Sequence, residues 1–299
     1  MTMISVVLPA FNEKDAITET VATLRRILDE AGERDAEIIV VDDGSTDETG
    51  LRAEKAGARV LRNIQNVGYG FSLKRGIAEA RYDTIVIADA DGTYPLHEIP
   101  ALVALHREGY DMVVGARTGE IYRESFIKNP LRLLLKWLVE FTTGRHIPDA
   151  NSGLRVFSRS QIMPLFPHLS DTFSFTTSST LAYMLKHRSV RYLPIDYTKR
   201  IGKTKVRLLR DSLRTMQYIV QAILYYNPLK LFIVICLGVF LFGVAAIAAG
   251  VFLQMPSGLL LGGVAFIAMI VIFALGLLGE LICQLFRGNL NDLPGGNRL

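Results

Sequence analysis

Charge is missing from one long stretch near the C-terminus of this 299-residue chain. No acidic, basic or histidine residue occurs between Leu231 and Gly279, and only the segment from Gln254 to Gly258 interrupts the apolar sequence. The flanking runs, residues 229–253 and 259–283, are each long enough for a helix that crosses the hydrocarbon core of a bilayer. Two buried helices of a soluble core are the alternative, which the length and purity of the runs argue against. We therefore expect a C-terminal transmembrane hairpin.

Cysteine is also scarce, since Cys236 and Cys283 are the only two and both lie in or beside the apolar runs. The turn between the runs carries no charge, whereas Lys230 precedes the first run and Arg287 and Arg298 follow the second. Because basic residues favour the inner side of a membrane, we expect both ends and the large N-terminal domain in the cytoplasm. A bacterial or archaeal plasma membrane fits this arrangement. The reducing conditions there argue against a structural disulfide.

Two common nucleotide-binding motifs are absent from the rest of the chain. The first predicted strand, Ile4 to Pro9, runs into Ala-Phe-Asn-Glu13 where a dinucleotide-binding fold needs glycines, and no Walker A sequence occurs. Instead, short apolar strands alternate with amphipathic helical stretches such as the one carrying Ile17, Val21 and Leu24. This alternation predicts an α/β domain with a mainly parallel sheet and helices on both faces.

Polar residues follow three of the predicted strands, at Pro9 to Glu13, at Asp42 to Ser45 and at Asp89 to Asp91. We expect them to line one crevice, because ligands of such sheets bind beyond the carboxyl ends of the strands. Asp89 and Asp91 are alternate residues after the apolar run Thr84 to Ala88, so their side chains can share a face. Two hard oxygen ligands suit Mg²⁺ or Mn²⁺, especially when a substrate diphosphate adds oxygens. An acidic turn that ends a buried strand is the alternative.

Four segments in order resemble the GT-A glycosyltransferases of family 2. They are Val6-Val-Leu-Pro-Ala-Phe-Asn-Glu13, Val41-Asp-Asp-Gly-Ser-Thr-Asp47, Asn66-Val-Gly-Tyr-Gly70 and Ala88-Asp-Ala-Asp91. The resemblance implies a nucleotide-sugar donor, either a UDP- or a GDP-sugar. It assigns Pro9, Ala10, Glu13 and Asp43 to the nucleoside, and Asp89 and Asp91 to the metal. The predicted donor site also takes in Asp42, Asn66, Gly68, Ala90 and Arg117. For Asp42 a helix cap is the alternative, and for Arg117 a solvated position in a loop.

Two later segments resemble polyprenyl-phosphate sugar synthases, the subset of this family that includes the dolichyl-phosphate mannose and glucose synthases. They are Asp149-Ala-Asn-Ser-Gly-Leu-Arg155 and Tyr197-Thr-Lys-Arg-Ile-Gly-Lys-Thr-Lys205. The resemblance implies a polyprenyl phosphate acceptor, undecaprenyl or dolichyl phosphate, and inversion at the anomeric carbon. Four basic residues are expected to bind the phosphate groups: Arg117, Arg155, Arg200 and Lys205. No nucleic acid partner is expected.

Three differences from these families matter. Thr93 stands where some polyprenyl-phosphate synthases have a glutamine as a further metal ligand. The segment Phe173 to Ser179 has no carboxylate where many family members place an acidic residue near the acceptor. The Q-x-x-R-W segment of the processive synthases is missing, since the only tryptophan is Trp137 in another context. The last difference argues against a polysaccharide polymerase.

The missing carboxylate favours a phosphate nucleophile. A hydroxyl acceptor needs a general base, whereas a lipid phosphate is already anionic at neutral pH and needs only desolvation and positioning. Two alternatives stay open: a glycolipid synthase acting on a lipid hydroxyl, with Asp149 or Asp171 as the base, and a catalytically silent membrane-anchored binding protein. The pair of Asp89 and Asp91 argues against the silent protein, which has no need of two carboxylates at a strand end.

These patterns predict the domain organisation. Residues 1–205 form the catalytic domain, which includes a helix at about 129–143 that we expect to lie in the membrane interface. Residues 206–228 form a second, juxtamembrane amphipathic helix. Residues 284–299 form a cytoplasmic tail.

Two further features concern the membrane. The densely basic stretch from Lys199 to Arg214 suits the phosphate of lipid or substrate, with a solvated face as the alternative. Small residues in the spans, either Gly258 and Gly262 or Ala245 and Ala249, could pack helices within the hairpin or between the protomers of a homo-oligomer.

Overall fold

A computed structural model of the chain describes residues 3–118, 136–137, 139–141, 143–196, 216–217, 220–221, 223–224 and 227–291. They divide into two units, Met1–Ile219 and Val220–Leu299. Most of the two predicted amphipathic helices, at about 129–143 and 206–228, lies outside the described residues. Arg200 and Lys205 also lie outside them, so their phosphate contacts stay predictions.

Seven strands form one sheet in the first unit. They are β1 (Ile4–Ala10), β2 (Glu37–Asp42), β3 (Arg59–Arg62), β4 (Thr84–Ile87), β5 (Met112–Thr118), β6 (Arg155–Ser158) and β7 (Val190–Asp196). Their order across the sheet is β3-β2-β1-β4-β6-β5-β7, and every neighbouring pair is parallel except the two that involve β6. The predicted α/β architecture with a mainly parallel sheet is confirmed.

Helices cover both faces of this sheet because alternate side chains of each strand point to opposite sides. The helices are α1 (Ile17–Glu30), α2 (Thr49–Lys55), α3 (Tyr69–Glu79), α4 (Ile99–Arg107), α5 (Arg159–Ile162) and α6 (Phe175–Leu185). Two short 3₁₀ helices, Leu96–Glu98 and Met163–His168, precede α4 and follow α5. In β1, Val6 and Leu8 pack in the core layer that contains α1 and α4. Val7 packs on the opposite face, in the layer that contains α3 and α6.

Among the described strands of the sheet only β6 runs antiparallel to its neighbours, and neither β6 nor β7 is predicted from the sequence. Strand β6 pairs antiparallel with β4 on one side and β5 on the other. Its first residue, Arg155, lies beside Ile87, the last residue of β4. The loop that precedes β6, residues 149–154, therefore lies at the same sheet edge as Asp89 and Asp91.

Arg155 is a structural residue at this point, which corrects its predicted role as a phosphate ligand. Its side chain is fully buried, and all three guanidinium nitrogens donate hydrogen bonds within the protein. The acceptors are the carbonyls of Ala150, Ser152 and Thr176 and the hydroxyls of Ser179 and Thr180, at 2.7–3.2 Å. Burial lowers the pKa of Arg155 from its ordinary value. The guanidinium joins β6 and its preceding loop to α6, so no donor faces a substrate.

The second unit contains two long apolar helices, α7 (Pro228–Phe252) and α8 (Pro256–Asn291). Asn227 begins the hairpin, because its side chain accepts a hydrogen bond from the backbone N–H of Lys230 and Pro228 occupies the first turn. The mean hydropathy of the most apolar windows is 2.9 and 2.7, and both helices are long enough to cross a bilayer. They match the predicted hairpin, although α8 begins earlier than expected and extends into the predicted tail.

The small residues of the spans pack within this hairpin. A Cβ at Gly258 would lie 2.6 Å from the carbonyl oxygen of Ala246 and 2.7 Å from the backbone of Gly250. A Cβ at Gly262 would collide with the side chain of Ile247. Gly258 and Gly262 therefore allow α7 and α8 to approach closely, as small residues do in membrane helix pairs. A contact between protomers is not needed to account for them.

We expect Arg155→Lys to destabilise the catalytic unit by about 3 kcal/mol, because lysine cannot satisfy the carbonyls and hydroxyls that the guanidinium now binds. The melting temperature of the full chain in detergent, measured at one scan rate, should fall by roughly 10 °C. Arg26→Lys is the matched control, since Arg26 forms only an exposed ion pair with Glu30. An equal, small effect of both substitutions would contradict the structural role of Arg155.

Candidate active site

A cavity of about 380 Å³ lies beyond the carboxyl ends of the central strands. Its walls are formed by Pro9, Ala10, Phe11, Glu13, Asp43, Asn66, Gly68, Tyr69, Asp89, Ala90, Asp91 and Phe173. The structure thus brings together most of the residues predicted for the donor and the metal. The exceptions are Asp42, Arg117 and Arg155, together with Arg200 and Lys205 outside the described residues.

The first two loops of the site are joined by hydrogen bonds. The backbone N–H of Asn12 donates to the hydroxyl of Ser45 at 3.0 Å, and the Asn12 side-chain oxygen accepts from the backbone N–H of Thr46 at 2.8 Å. The backbone N–H of Glu13 donates to the hydroxyl of Thr49 at 2.8 Å. Asn12 has a positive φ of 51°, a conformation that asparagine tolerates better than most residues. The Pro-Ala-Phe-Asn-Glu and Asp-Asp-Gly-Ser segments therefore form a single wall.

The two adjacent aspartates after β2 have different partners. Asp42 Oδ1 accepts the backbone N–H of Ser45 at 3.0 Å, so Asp42 closes the turn and does not line the cavity. The hydrogen bond resembles the helix cap considered as an alternative role for Asp42, although the backbone that Asp42 binds here belongs to a turn and not to a helix. Asp43 does line the cavity, and it accepts the backbone N–H groups of Val67 and Gly68 at 3.0 Å each. Its carboxylate therefore orders the glycine loop, defined as residues 66–70.

Asp89 and Asp91 lie on the cavity wall just after β4. Asp91 is 8% exposed, and its Oδ1 accepts both the backbone N–H of Thr93 at 3.1 Å and the Thr93 hydroxyl at 2.7 Å. Thr93 therefore holds Asp91 in place. On the other carboxylate, Asp89 Oδ1 accepts the hydroxyl of Tyr69 at 2.9 Å.

Gly153 allows the loop before β6 to approach Asp89. A Cβ at this position would lie 2.7 Å from Oδ1 and 2.9 Å from Oδ2 of Asp89, closer than real contacts allow. The backbone N–H of Gly153 donates to the hydroxyl of Tyr94 at 2.7 Å, which fixes the loop. The Asp89 carboxylate is thus confined between Gly153 and the Tyr69 hydroxyl.

The residues at this position fit a hard divalent cation. In the described part of the chain no group of three or more His, Cys, Asp and Glu side chains could hold a metal by itself. Mg²⁺ is commonly bound by one or two carboxylates together with substrate phosphates and water, and it does not need a complete cage of protein ligands. Asp89 and Asp91, which both line the same cavity, supply such a pair.

Arg117 lies in a buried ion pair and not on the cavity wall. Its Nε and Nη2 donate to the two carboxylate oxygens of Asp149 at 2.7 and 3.0 Å. Burial by itself would raise the pKa of Asp149, but the Arg117 charge and hydrogen bonds hold that pKa below its ordinary value. These two bonds use two of the five N–H donors of the guanidinium, so the contact of Arg117 with a diphosphate stays a prediction.

Neither aspartate considered as a general base is well placed to be one. The side chain of Asp149 is 1% exposed and bound to Arg117. Asp171 forms an ion pair with Lys74, with 2.6 Å between Oδ1 and Nζ. Arg117 stabilises the charged form of Asp149, and a carboxylate stabilised in this way is a weak proton acceptor.

Three aromatic wall residues, Phe11, Tyr69 and Phe173, were not identified from the sequence. Tyr69 and Phe173 stack with ring centroids 5.3 Å apart. Burial and the charge of Asp89 raise the pKa of Tyr69 well above its ordinary value, so its hydroxyl stays protonated and donates. Tyr69 lies inside the glycine loop and Phe11 inside the first motif, where each could have been noticed. Phe173 is distant in sequence and no local pattern marks it.

Comparison with known proteins gives a consistent result. Residues 5–166 match the family described as Glycosyl transferase family 2. Undecaprenyl-phosphate 4-deoxy-4-formamido-L-arabinose transferase from Enterobacter sp. (strain 638) is 30% identical over 95% of this chain and 89% of its own length. The enzyme of the same name from Edwardsiella ictaluri (strain 93-146) is 28% identical over 95% of this chain and 90% of its own length.

Among solved structures, glucosyl-3-phosphoglycerate synthase from Mycobacterium tuberculosis has a similar fold. Its complex with Mn²⁺, uridine diphosphate and phosphoglyceric acid has a TM-score of 0.61 at 24% identity, covering 74% of this chain and 78% of that one. Its complex with Mg²⁺ and uridine diphosphate has a TM-score of 0.60 at 23% identity, covering 74% and 79%. This likeness shows the fold, and the family match shows the enzyme class. The chain belongs to glycosyltransferase family 2.

Proposed function

We propose that this protein transfers a sugar from a nucleotide-sugar donor to a polyprenyl phosphate, with inversion at the anomeric carbon, on the cytoplasmic face of a membrane. The observation that carries the proposal is the likeness to undecaprenyl-phosphate sugar transferases over 95% of the chain, a length that includes the hairpin. An acceptor with a long prenyl chain lies in the bilayer, so its transferase needs a membrane anchor such as α7 and α8.

The donor occupies the cavity in this proposal. Pro9, Ala10, Glu13 and Asp43 bind the nucleoside, and the glycine loop that Asp43 orders closes one side of the site. Asp89 and Asp91 would hold Mg²⁺ or Mn²⁺ at this cavity. The cation supplies positive charge that stabilises the leaving nucleoside diphosphate.

The acceptor phosphate supplies its own nucleophilic oxygen. It forms a bond to the anomeric carbon as the bond from that carbon to the diphosphate breaks, so no proton has to be removed from the acceptor. This agrees with the buried ion pair of Asp149, in which Arg117 stabilises the carboxylate in its charged form. Arg200 and Lys205 contribute positive charge toward the acceptor phosphate in this proposal.

The acceptor can be tested with a panel of UDP- and GDP-sugars offered with undecaprenyl phosphate or with lipids that carry only hydroxyl groups. We expect nucleoside diphosphate release only with the phosphate lipid. The rate should rise as the second ionisation of the phosphate is completed, near pH 6, and then level off. Turnover with hydroxyl lipids alone, and none with undecaprenyl phosphate, would replace this proposal with a glycolipid synthase.

The metal site can be tested by Asp91→Asn, which keeps an oxygen to accept from Thr93 but removes the negative charge. We expect turnover to fall by at least two orders of magnitude while the melting temperature changes little. Asp83→Asn is the matched control, because Asp83 accepts the backbone N–H of Ser160 at 2.7 Å and does not line the cavity. Full activity of Asp91→Asn in excess chelator would remove the metal from the mechanism.

The membrane topology can be tested by labelling with an impermeant maleimide after Cys236 and Cys283 are replaced by alanine. We expect Ile64→Cys, at a fully exposed position of the catalytic unit, to react only from the cytoplasmic side of sealed vesicles. Gln254→Cys, in the turn of the hairpin, should react only from the opposite side. Labelling of both positions from one side would contradict a spanning hairpin.

A further inference from the structure

Tyr69 and Gly153 both lie against the carboxylate of Asp89. The Tyr69 hydroxyl donates to Oδ1 at 2.9 Å. Gly153 lies so close to the Asp89 carboxylate that a Cβ at this position would collide with both of its oxygens. A change of the Asp89 rotamer would have to break the hydrogen bond to Tyr69.

Tyr69 is itself held firmly. Its backbone begins α3 directly after Gly68, whose N–H is bound by Asp43. Gly68 has a φ of 112°, and a Cβ there would lie 2.7 Å from the carbonyl oxygen of Asp171. The ring of Tyr69 stacks on Phe173, which belongs to the same loop as Asp171.

The loop that carries Phe173 is tied to α3 by further contacts. The backbone N–H of Phe71 donates to the carbonyl oxygen of Asp171 at 3.1 Å. Lys74 Nζ lies 2.6 Å from both the carbonyl oxygen of Leu169 and the carboxylate of Asp171. The Tyr69 hydroxyl is therefore presented to Asp89 from a helix that several contacts join to the loop carrying Phe173.

We propose that Tyr69 is a positioning residue for the metal ligand Asp89, and that its hydroxyl sets the orientation in which the carboxylate meets the cation. This inference rests on the proposed function, because it assumes that Asp89 binds a metal. Partners that hydrogen-bond to a ligating carboxylate commonly change metal affinity 10- to 100-fold when they are removed. If Tyr69 served only to stack on Phe173, loss of its hydroxyl would not change the metal affinity, because the stack does not involve the hydroxyl.

The test is Tyr69→Phe, which keeps the ring against Phe173 and deletes only the hydroxyl. Binding of Mn²⁺ to the full-length protein in detergent is measured by electron paramagnetic resonance in the presence of UDP. We expect the dissociation constant for Mn²⁺ to rise about 10- to 100-fold. The affinity for UDP measured in excess chelator should not change, because the hydroxyl acts on the carboxylate and not on the nucleotide.

Tyr183→Phe is the matched control, since Tyr183 is a buried tyrosine of α6 that does not line the cavity. Its Mn²⁺ affinity should equal that of the wild type. Gly153→Ala presses on the Asp89 carboxylate from another side, and we expect it to weaken Mn²⁺ binding while the Tyr69 hydroxyl remains.

The outcomes separate this inference from the function on which it rests. If the wild type binds Mn²⁺ and Tyr69→Phe binds it equally well, the positioning role is wrong and the proposed function stands. A weaker affinity of Tyr69→Phe for UDP in chelator would show a direct contact with the donor, and would also overturn the positioning role. If the wild type itself binds no Mn²⁺ with UDP present, the metal site of the proposed function fails, and this inference fails with it.

Discussion

The reversed direction of β6 is the constraint on which the site depends. A parallel strand in that position would begin at the far edge of the sheet, and the loop before it would lie away from the ligand-binding edge. Because β6 is antiparallel to β4, residues 149–154 return to the point where β4 ends. Gly153 then meets Asp89, and Asp149 meets Arg117. The buried guanidinium of Arg155 stabilises this return by binding three backbone carbonyls.

The charged side chains in the described part of the site have different roles, since some hold the protein in shape and others face the cavity. Asp42 accepts a hydrogen bond from a backbone N–H group and closes its turn, whereas Asp43 both orders the glycine loop and lines the cavity. Asp149 is neutralised by Arg117 in a nearly dry environment, where breaking the pair would leave an uncompensated charge. Asp89 and Asp91 are the carboxylates that line the cavity beyond β4, and hydroxyl groups of Tyr69 and Thr93 donate to them. Of the two aspartates considered as a base, Asp149 is bound to Arg117 and Asp171 to Lys74, an arrangement that a phosphate acceptor allows.

Local sequence patterns predicted most of the fold and most of the residues that line the cavity, because both depend on short-range chemistry. An apolar run followed by a polar turn identifies a buried parallel strand and its ligand-binding end, as at Ile4 to Glu13 and at Thr84 to Asp91. The charge-free stretch after Lys230 likewise predicted the two apolar helices. Strands β6 and β7 were missed because neither has a flanking pattern that distinguishes it from a loop.

The hydrogen-bond and ion-pair partners of individual side chains could not be predicted from the sequence. Arg155 and Arg117 belong to segments that resemble phosphate-binding motifs or lie at a strand end, and each was expected to face substrate. Their partners in the fold are Thr176, Ser179 and Asp149, which are separated from them by 21 to 32 residues. The same limit hid Phe173, which reaches the cavity only because its loop packs on α3.

The central claim is that the acceptor atom is an oxygen of a lipid phosphate. Phosphorus and proton NMR of the lipid after a reaction with undecaprenyl phosphate and the active nucleotide sugar tests this most directly. The account predicts that the phosphomonoester signal is replaced by a phosphodiester signal, and that the new anomeric bond has the configuration opposite to that of the donor. A phosphomonoester signal that persists while nucleoside diphosphate is released, or a product that retains the donor configuration, would contradict it.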